Sequence, residues 1–83
     1  MNYRLSQHAK EQMTRRGITR DMIDSTMATP DKIVHVEECI KVFQKVAIND
    51  KKRYLYRVFV NYCKRPSLVI TVYKTSKIEK YEN

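Results

Sequence analysis

The sequence predicts an α+β fold in which two N-terminal helices pack on one face of a four-stranded antiparallel sheet. Three observations lead to this fold: helical spacing of apolar residues before Pro30, an alternation of period two after it, and short polar loops between the strand-like segments. A chain of 83 residues forms a single domain, residues 1–83. We expect its helical part at about 5–29, its sheet at about 32–76 and a short C-terminal tail at 77–83.

The helical part is predicted from capping signals. Ser6 is placed to cap a first helix from Gln7 to Arg16, and Gly17 is placed to end it in the left-handed conformation. Thr19 caps a second, shorter helix that Pro30 ends. The first helix carries an apolar stripe that consists of Leu5, Ala9 and Met13. An adjacent polar stripe consists of His8, Gln12, Arg15 and Arg16.

The strand-like segments follow one another with hairpin-type loops, which predicts an antiparallel meander. In the third segment, Arg57 shares an otherwise apolar face with Leu55 and Phe59, and a charge in that position needs a partner or a ligand. The four predicted strands are Lys32–Val36, Ile40–Ile48, Arg53–Cys63 and Leu68–Thr75.

The net charge of +8 lies entirely in the second half of the chain. Residues 1–40 hold six basic and six acidic residues, whereas residues 41–83 hold eleven basic and three acidic residues. Five of the six tyrosines share that cationic half. Cations attract phosphate, and aromatic faces beside them stack on unpaired bases, so RNA is the first partner to consider.

The composition also excludes several kinds of site. His8, His35, Cys39 and Cys63 lack the short paired spacings of zinc sites, and one glycine cannot form a phosphate-binding loop, so we expect no metal and no cofactor. No apolar run is long enough for a membrane helix and no secretory signal is visible, which predicts a cytoplasmic protein that does not bind membranes. We accordingly expect the two cysteines to be reduced thiols rather than a disulfide.

RNA cleavage without a metal needs cations for the phosphate together with an acid and a base. We assign Arg57 and Lys77 to the phosphate and Tyr81 or His8 to proton transfer. Tyr73 or Tyr56 would stack on a base. The remaining expected RNA contacts are Lys45, Arg53, Lys74 and Lys80.

Two motifs near the ends of the chain resemble a family of small bacterial domains of unknown function that is grouped with RelE-like toxins and barnase-type RNase folds. They are Ser6-x-His8-Ala9…Met13-x-x-Arg16-Gly17-Ile18 and Val69-Ile70-Thr71-Val72-Tyr73-x-Thr75-Ser76-Lys77-x-x-Lys80-Tyr81. The resemblance implies a RelE/barnase-like toxin fold and a type II toxin that cleaves mRNA, on the ribosome or free. It also implies neutralisation by a small acidic antitoxin protein.

The resemblance also implies roles for individual positions. Arg57 or Arg53 resembles the phosphate-binding strand arginine of RelE-like toxins, Lys74 or Lys77 their basic residue after the last strand, and Tyr81 their C-terminal tyrosine. His8 and the end from Lys77 to Tyr81 are the positions matched in the smaller family. Gln12 stands where that family often carries an arginine, which removes a cation next to His8.

Two other functions fit the same composition. One is a module that binds RNA or an acidic protein without cutting it, and the other is an interaction domain whose sheet edge pairs with a strand of another protein. The first predicts binding that weakens steeply with salt and yields no cleavage products. The second predicts a stable complex with little dependence on salt.

Overall fold

The computed structural model describes residues 2–81, which form an α+β domain with one mixed, five-stranded sheet. The sheet order is β1-β5-β4-β3-β2; β1 runs parallel to β5, and the other neighbouring strands are antiparallel. In chain order the elements are β1 (Tyr3–Leu5), α1 (Gln7–Arg16), α2 (Arg20–Ala28), β2 (Lys32–Glu37), β3 (Ile40–Asn49), β4 (Lys52–Asn61), β5 (Ser67–Thr75) and a 3₁₀ turn (Ile78–Tyr81).

The α+β class is therefore confirmed, but the prediction of a four-stranded antiparallel sheet is wrong. The difference is β1, whose residues Tyr3 to Leu5 pair with Ser67 to Val69 and add a parallel strand beside β5. Leu5, which the helical spacing assigned to the first helix, belongs to this strand. Three residues are too few to show an alternation of period two in the sequence.

Ser6 lies between β1 and α1 and forms hydrogen bonds to both β5 and α1. Its backbone N–H donates to the Val69 carbonyl at 3.0 Å, and its hydroxyl donates to the Ile70 carbonyl at 2.7 Å. The same hydroxyl oxygen accepts the N–H of Ala9 at 3.0 Å, which is the N-cap bond of α1. One residue thus starts the helix and fixes it to β5.

Both helices have the caps that the sequence predicts. Gly17 ends α1 with a φ of 65°, and the Thr19 side chain accepts the N–H of Met22 at 3.2 Å at the start of α2. The first helix packs on β5, and the second packs on β4 and β3. Among the described helices, none is long and apolar enough to span a membrane.

The core lies between the helices and one face of the sheet. Arg20 and Asp24 of α2 both hydrogen-bond the Tyr3 hydroxyl, with the Arg20 Nε donating at 2.9 Å and the tyrosine donating to the Asp24 carboxylate. Burial and the nearby carboxylate raise the pKa of Tyr3. The buried cluster around this contact is Tyr3, Ala9, Ile18, Ile23, Met27, Phe43, Tyr56, Val58, Val60, Val69 and Val72.

Neither α1 nor α2 packs directly on the other face of the sheet, which we call the open face. The 3₁₀ turn crosses this face, burying Ile78 and bringing the Tyr81 ring over Arg57. The ladder register places three rows of side chains here: Val42, Phe59 and Thr71; Gln44, Arg57 and Tyr73; Val46, Leu55 and Thr75.

Cys39 and Cys63 form a disulfide, with their Cα atoms 5.2 Å apart, so the prediction of reduced thiols is wrong. The register explains the pairing. Ile40 lies opposite Asn61, and the N–H of Tyr62 donates to the Cys39 carbonyl at 2.9 Å, which brings the two flanking cysteines together. Such a bridge closes the β3–β4 hairpin at the end away from its turn.

Candidate functional site

A cavity of about 410 Å³ lies where α1 passes the edge of the open face. On its outer side β5 pairs with β1, which is only three residues long. Among residues 2–81 no strand covers the rest of this edge of β5, and the polar stripe of α1 reaches it. Pockets of this size accommodate small ligands or parts of larger ones. The cavity is lined by His8, Gln12, Arg16, Arg57, Phe59, Thr71, Val72, Tyr73 and Tyr81.

Arg57 extends from β4, the middle strand of the sheet, and its side chain lines this cavity. Its Nε donates to the side-chain oxygen of Gln44 at 2.9 Å, and Gln44 itself is buried, with 5% of its surface exposed. The guanidinium carbon lies 4.5 Å from the centre of the Tyr81 ring and 5.2 Å from that of Phe59. The hydrogen bond and the two rings fix the orientation of the guanidinium group.

Arg16 supplies a second cation from the last turn of α1. Its Nε donates to the side-chain oxygen of Gln12 at 3.0 Å, and its guanidinium carbon lies 5.0 Å from the centre of the Tyr73 ring. Each arginine is therefore oriented by a glutamine and an aromatic ring. Neither has a carboxylate partner, because the one ion pair formed within residues 2–81 joins Arg20 to Asp24.

Tyr73 and Tyr81 meet edge to face between these cations, with ring centres 6.4 Å apart. The neighbouring Tyr81 side chain lowers the pKa of Tyr73, and Thr75, Arg16 and Lys80 lower it further. The Tyr73 side chain, together with burial, raises the pKa of Tyr81. Of the two hydroxyls, Tyr73 is the one that loses its proton more readily.

A second cavity, of about 320 Å³, lies on the other side of Tyr81 along the same face. Its rim includes Asp31, whose carboxylate accepts the backbone N–H of Val46 at 2.8 Å. Tyr81 thus lines both cavities, the first of which is cationic and the second more apolar. The lining of the second cavity is Asp31, Lys32, Gln44, Val46, Leu55, Ile78 and Tyr81.

The structure brings together four of the residues that the sequence singled out: His8, Arg57, Tyr73 and Tyr81 all line the first cavity. Lys80 is exposed, but it lies close enough to Tyr73 for its charge to lower the pKa of that residue.

Two other predicted residues lie outside the cavity. Lys77 is exposed beside the 3₁₀ turn, where its backbone N–H donates to the Thr75 hydroxyl at 3.0 Å. Arg53 is exposed near the start of β4, opposite Ile48.

Three of the predicted RNA contacts lie on the helix-covered face of the sheet. The Lys45 amino group donates to the Thr29 carbonyl at 2.9 Å at the end of α2, and the Lys74 amino group lies 4.8 Å from the centre of the Tyr54 ring. Tyr56 is buried, and burial raises its pKa. In this structure none of the three can reach a ligand in the cavity, and Tyr56 has no ring face open to a base.

Arg16, Gln12 and Gln44 were not predicted as site residues. A signal was available for Gln44, because strand alternation places it between Val42 and Val46 on an apolar face, directly opposite Arg57. Arg16 and Gln12 were recognised as sharing a stripe with His8. Their roles depend on how α1 packs against β5, which the spacing of one helix does not reveal.

The site contains two guanidinium groups and two phenolic hydroxyls in one cavity. Within residues 2–81 there is no group of three histidine, cysteine or acidic side chains placed to hold an ion. The chemistry of its donors is that of an anion site.

Comparison with known proteins gives one match. No curated protein and no solved structure matches the chain. Residues 5–74 match a family described as a domain of unknown function, DUF4258. This range includes β3, β4, nearly all of β5, and His8, Arg16, Arg57 and Tyr73 of the cavity. Since the match covers most of the 83 residues, the chain belongs to the DUF4258 family.

Proposed function

We propose that this protein is an RNA-directed domain that cleaves mRNA without a metal ion. One observation carries the proposal: two arginines that form no ion pair within residues 2–81 converge with a pair of tyrosines whose pKa values move in opposite directions. Oriented guanidinium groups bind phosphate oxygens, and an acid–base pair with separated pKa values transfers protons.

The phosphate would bind between Arg16 and Arg57. Gln12 and Gln44 occupy the Nε donors of these arginines, which leaves the terminal guanidinium nitrogens as the groups available to phosphate oxygens. Two cations on one phosphate neutralise the charge that develops in the pentavalent transition state. The rings beside them provide surfaces on which neighbouring bases can stack.

The proposed reaction is transfer of the phosphate to the adjacent 2′-hydroxyl. The Tyr73 phenolate takes the 2′ proton, the 2′-oxygen forms a bond to phosphorus, and the bond from phosphorus to the 5′-oxygen breaks. Tyr81 gives its proton to that departing oxygen. The products are a 2′,3′-cyclic phosphate and a 5′-hydroxyl, and the proton taken up by Tyr73 passes to the adjacent Tyr81 phenolate, which restores both groups.

His8 supplies an alternative proton carrier on the helix side of the same cavity. Its imidazole would serve as the base if Tyr73 stays protonated. The pH dependence of the reaction distinguishes the two assignments.

At the level of the cell we propose a RelE-like toxin that is held inactive by a small acidic antitoxin. The proposal rests on the resemblance of the two end motifs and on the cationic second half of the chain. An acidic partner would compete with RNA for Arg16 and Arg57. Expression of the protein alone should then arrest growth, and co-expression of a neighbouring short acidic reading frame should relieve the arrest.

The test is incubation of the purified protein with RNA, with and without ribosomes, in the presence of a metal chelator. We expect products ending in a 2′,3′-cyclic phosphate, and we expect Tyr73→Phe and Tyr81→Phe to slow their formation by about 100-fold, the usual size of an acid–base contribution. Tyr62→Phe is the matched control, because Tyr62 is exposed beyond the end of β4, away from the cavity. Intact RNA under both conditions would reject the cleavage proposal, and binding without products would identify a non-catalytic RNA-binding domain.

A further inference from the structure

The second cavity combines an apolar lining with a few polar groups, which is the usual composition of a small-ligand site. Leu55 and Ile78 are buried in its lining, and Val46 adds a third aliphatic side chain. Tyr81 lines both this cavity and the first one, so the two are adjacent on the open face. An apolar cavity with an aromatic ring, next to a phosphate site, suits the base of a nucleotide.

Backbone contacts hold the carboxylate of Asp31 in place at this cavity. Its N–H donates to the Gln44 carbonyl at 2.8 Å, and its Oδ2 accepts the N–H of Val46 at 2.8 Å. Asp31 forms no ion pair within residues 2–81, where the one ion pair joins Arg20 to Asp24. The two hydrogen bonds therefore fix the residue and leave Oδ1 to accept a hydrogen bond from a ligand.

Two donor groups share the lining with this carboxylate. Lys32 lies opposite Gln44 in the β2–β3 ladder, and both residues line the cavity. The Gln44 side-chain oxygen accepts the bond from Arg57, and that bond does not use the two amide N–H groups. The polar part of the lining is thus one carboxylate acceptor with an ammonium group and an amide as donors.

The four RNA bases differ in what they present to a carboxylate. Guanine has two adjacent donors, N1–H and the N2 amino group, beside its O6 acceptor. Adenine and cytosine have a ring-nitrogen acceptor beside their amino group, and uracil has one N–H between two carbonyls. Each of these three bases turns an acceptor towards a carboxylate oxygen, which leaves that oxygen without a donor and costs affinity. Guanine is therefore the base that suits an acidic acceptor with donors nearby.

We propose that the second cavity is a guanine pocket, which selects the RNA sequence bound at the phosphate site. The guanine N–H groups donate to the Asp31 carboxylate, O6 accepts from the donors of Lys32 and Gln44, and the base packs against the Tyr81 ring. The Arg57 guanidinium carbon lies 4.5 Å from the centre of the same ring, so one strand can place a phosphate at Arg57 and a base in the pocket. This inference rests on the proposed RNA site, but not on cleavage.

The test is the affinity of short 2′-O-methyl strands, measured by fluorescence anisotropy. These strands have no 2′-hydroxyl, so they bind without being cleaved. Each is a run of uridines with one variable base at its centre, which is guanine, adenine, cytosine, uracil or hypoxanthine. The guanine strand should bind about 10-fold more tightly than the adenine, cytosine and uracil strands, as expected for one bidentate base contact. Hypoxanthine lacks only the 2-amino group of guanine, so its strand should have an intermediate affinity.

Replacing Asp31 with asparagine separates base recognition from the fold. The amide oxygen of Asp31→Asn can still accept the Val46 N–H, but an NH₂ group replaces the acceptor that faces the base. The guanine strand should then lose its advantage. Asp21→Asn is the matched control, because it makes the same change of charge at an exposed residue of α2, and it should retain the guanine preference. Urea unfolding checks that both variants are folded.

The outcomes separate this inference from the proposed function. Equal affinity for all the strands, a preference for another base, or a guanine preference that survives Asp31→Asn would each overturn the pocket and leave the phosphate site and cleavage in place. A guanine preference that Asp31→Asn removes, in a protein that yields no products from ordinary RNA, would support the pocket and reject cleavage. Binding of none of the strands would reject both the pocket and the RNA site.

Discussion

The side-chain oxygen of Gln44 accepts a hydrogen bond of 2.9 Å from Nε of Arg57, its partner across the β3–β4 ladder on the open face. Gln44 is buried, whereas Arg57 is half-buried and lines the cavity. The bond therefore fixes the Arg57 side chain, a cation at the surface, to a buried side chain of the sheet. We regard Gln44 as a positioning residue for the proposed phosphate site.

Replacing Gln44 with methionine tests this role. Gln44→Met keeps the length of the side chain and removes the acceptor, so nothing on β3 holds the Arg57 guanidinium in its orientation. We expect RNA affinity to fall about 10-fold, while the urea midpoint of unfolding changes little because the freed guanidinium can be hydrated. An equal loss of stability and affinity would mean that Gln44 serves the fold alone.

The tyrosine pair predicts an alkaline pH optimum for cleavage. The base must be deprotonated, so the rate should rise through the lowered pKa of Tyr73, which lies below the ordinary 10.0. The acid must be protonated, so the rate should fall above the raised pKa of Tyr81, which lies above 10.0.

The residual activity of Tyr81→Phe provides the check on this assignment. The substitution removes the main cause of the lowered Tyr73 pKa, so the rising limb of the pH–rate profile should move to higher pH and the falling limb should disappear. A rising limb that Tyr81→Phe leaves in place would instead assign the base to a group other than Tyr73, and His8 is the other proton carrier in the cavity.

The disulfide predicts a large effect on stability. Cys39 and Cys63 are 24 residues apart, and closing a loop of that length restricts the unfolded chain by about 3 kcal/mol. The double substitution Cys39→Ser and Cys63→Ser should lower the free energy of unfolding by that amount in urea titrations. Reduced wild-type protein should match the variant, and identical unfolding of the oxidised and reduced wild type would contradict this prediction.

Local signals in the sequence were sufficient for the helices and the hairpins. Ser6, Gly17 and Thr19 have cap chemistry that depends only on near neighbours, and the structure uses each of them as predicted. The strand β1 was missed because its pairing with β5 spans more than 60 residues and its three residues show no period.

The disulfide was missed for a different reason. Composition favoured reduced thiols, although the predicted hairpin already implied that Ile40 and Asn61 are opposite each other. Counting outward from the β3–β4 turn places Cys39 and Cys63 at the same end of that hairpin. The register of the β3–β4 hairpin, rather than the composition, indicated that the two cysteines pair.

The site was predicted only in part. Strand alternation identified Arg57 as a cation on an apolar face, and the β4–β5 register explains why Tyr73 lies beside it. Lys45 and Lys74 alternate onto the opposite face, where they contact Thr29 and Tyr54. Positive charge in the sequence alone does not distinguish cations on the open face from those that serve the fold.

The most direct test of the central claim is the affinity of a single-stranded RNA for four single-arginine variants over a range of salt concentrations. Each pair makes the same substitution on the same element: Arg16→Ala against Arg15→Ala on α1, and Arg57→Ala against Arg53→Ala on β4. Arg16 and Arg57 line the cavity, whereas Arg15 and Arg53 do not.

If the cavity binds RNA phosphate, Arg16→Ala and Arg57→Ala should each weaken binding about 10-fold and reduce the slope of log affinity against log salt by about 0.7, the value for one lost phosphate contact on a single strand. Arg15→Ala and Arg53→Ala should leave the affinity close to that of the wild type. Equal, small losses for all four variants would contradict the account, because they would mean that RNA responds to the overall charge of the protein and not to this cavity.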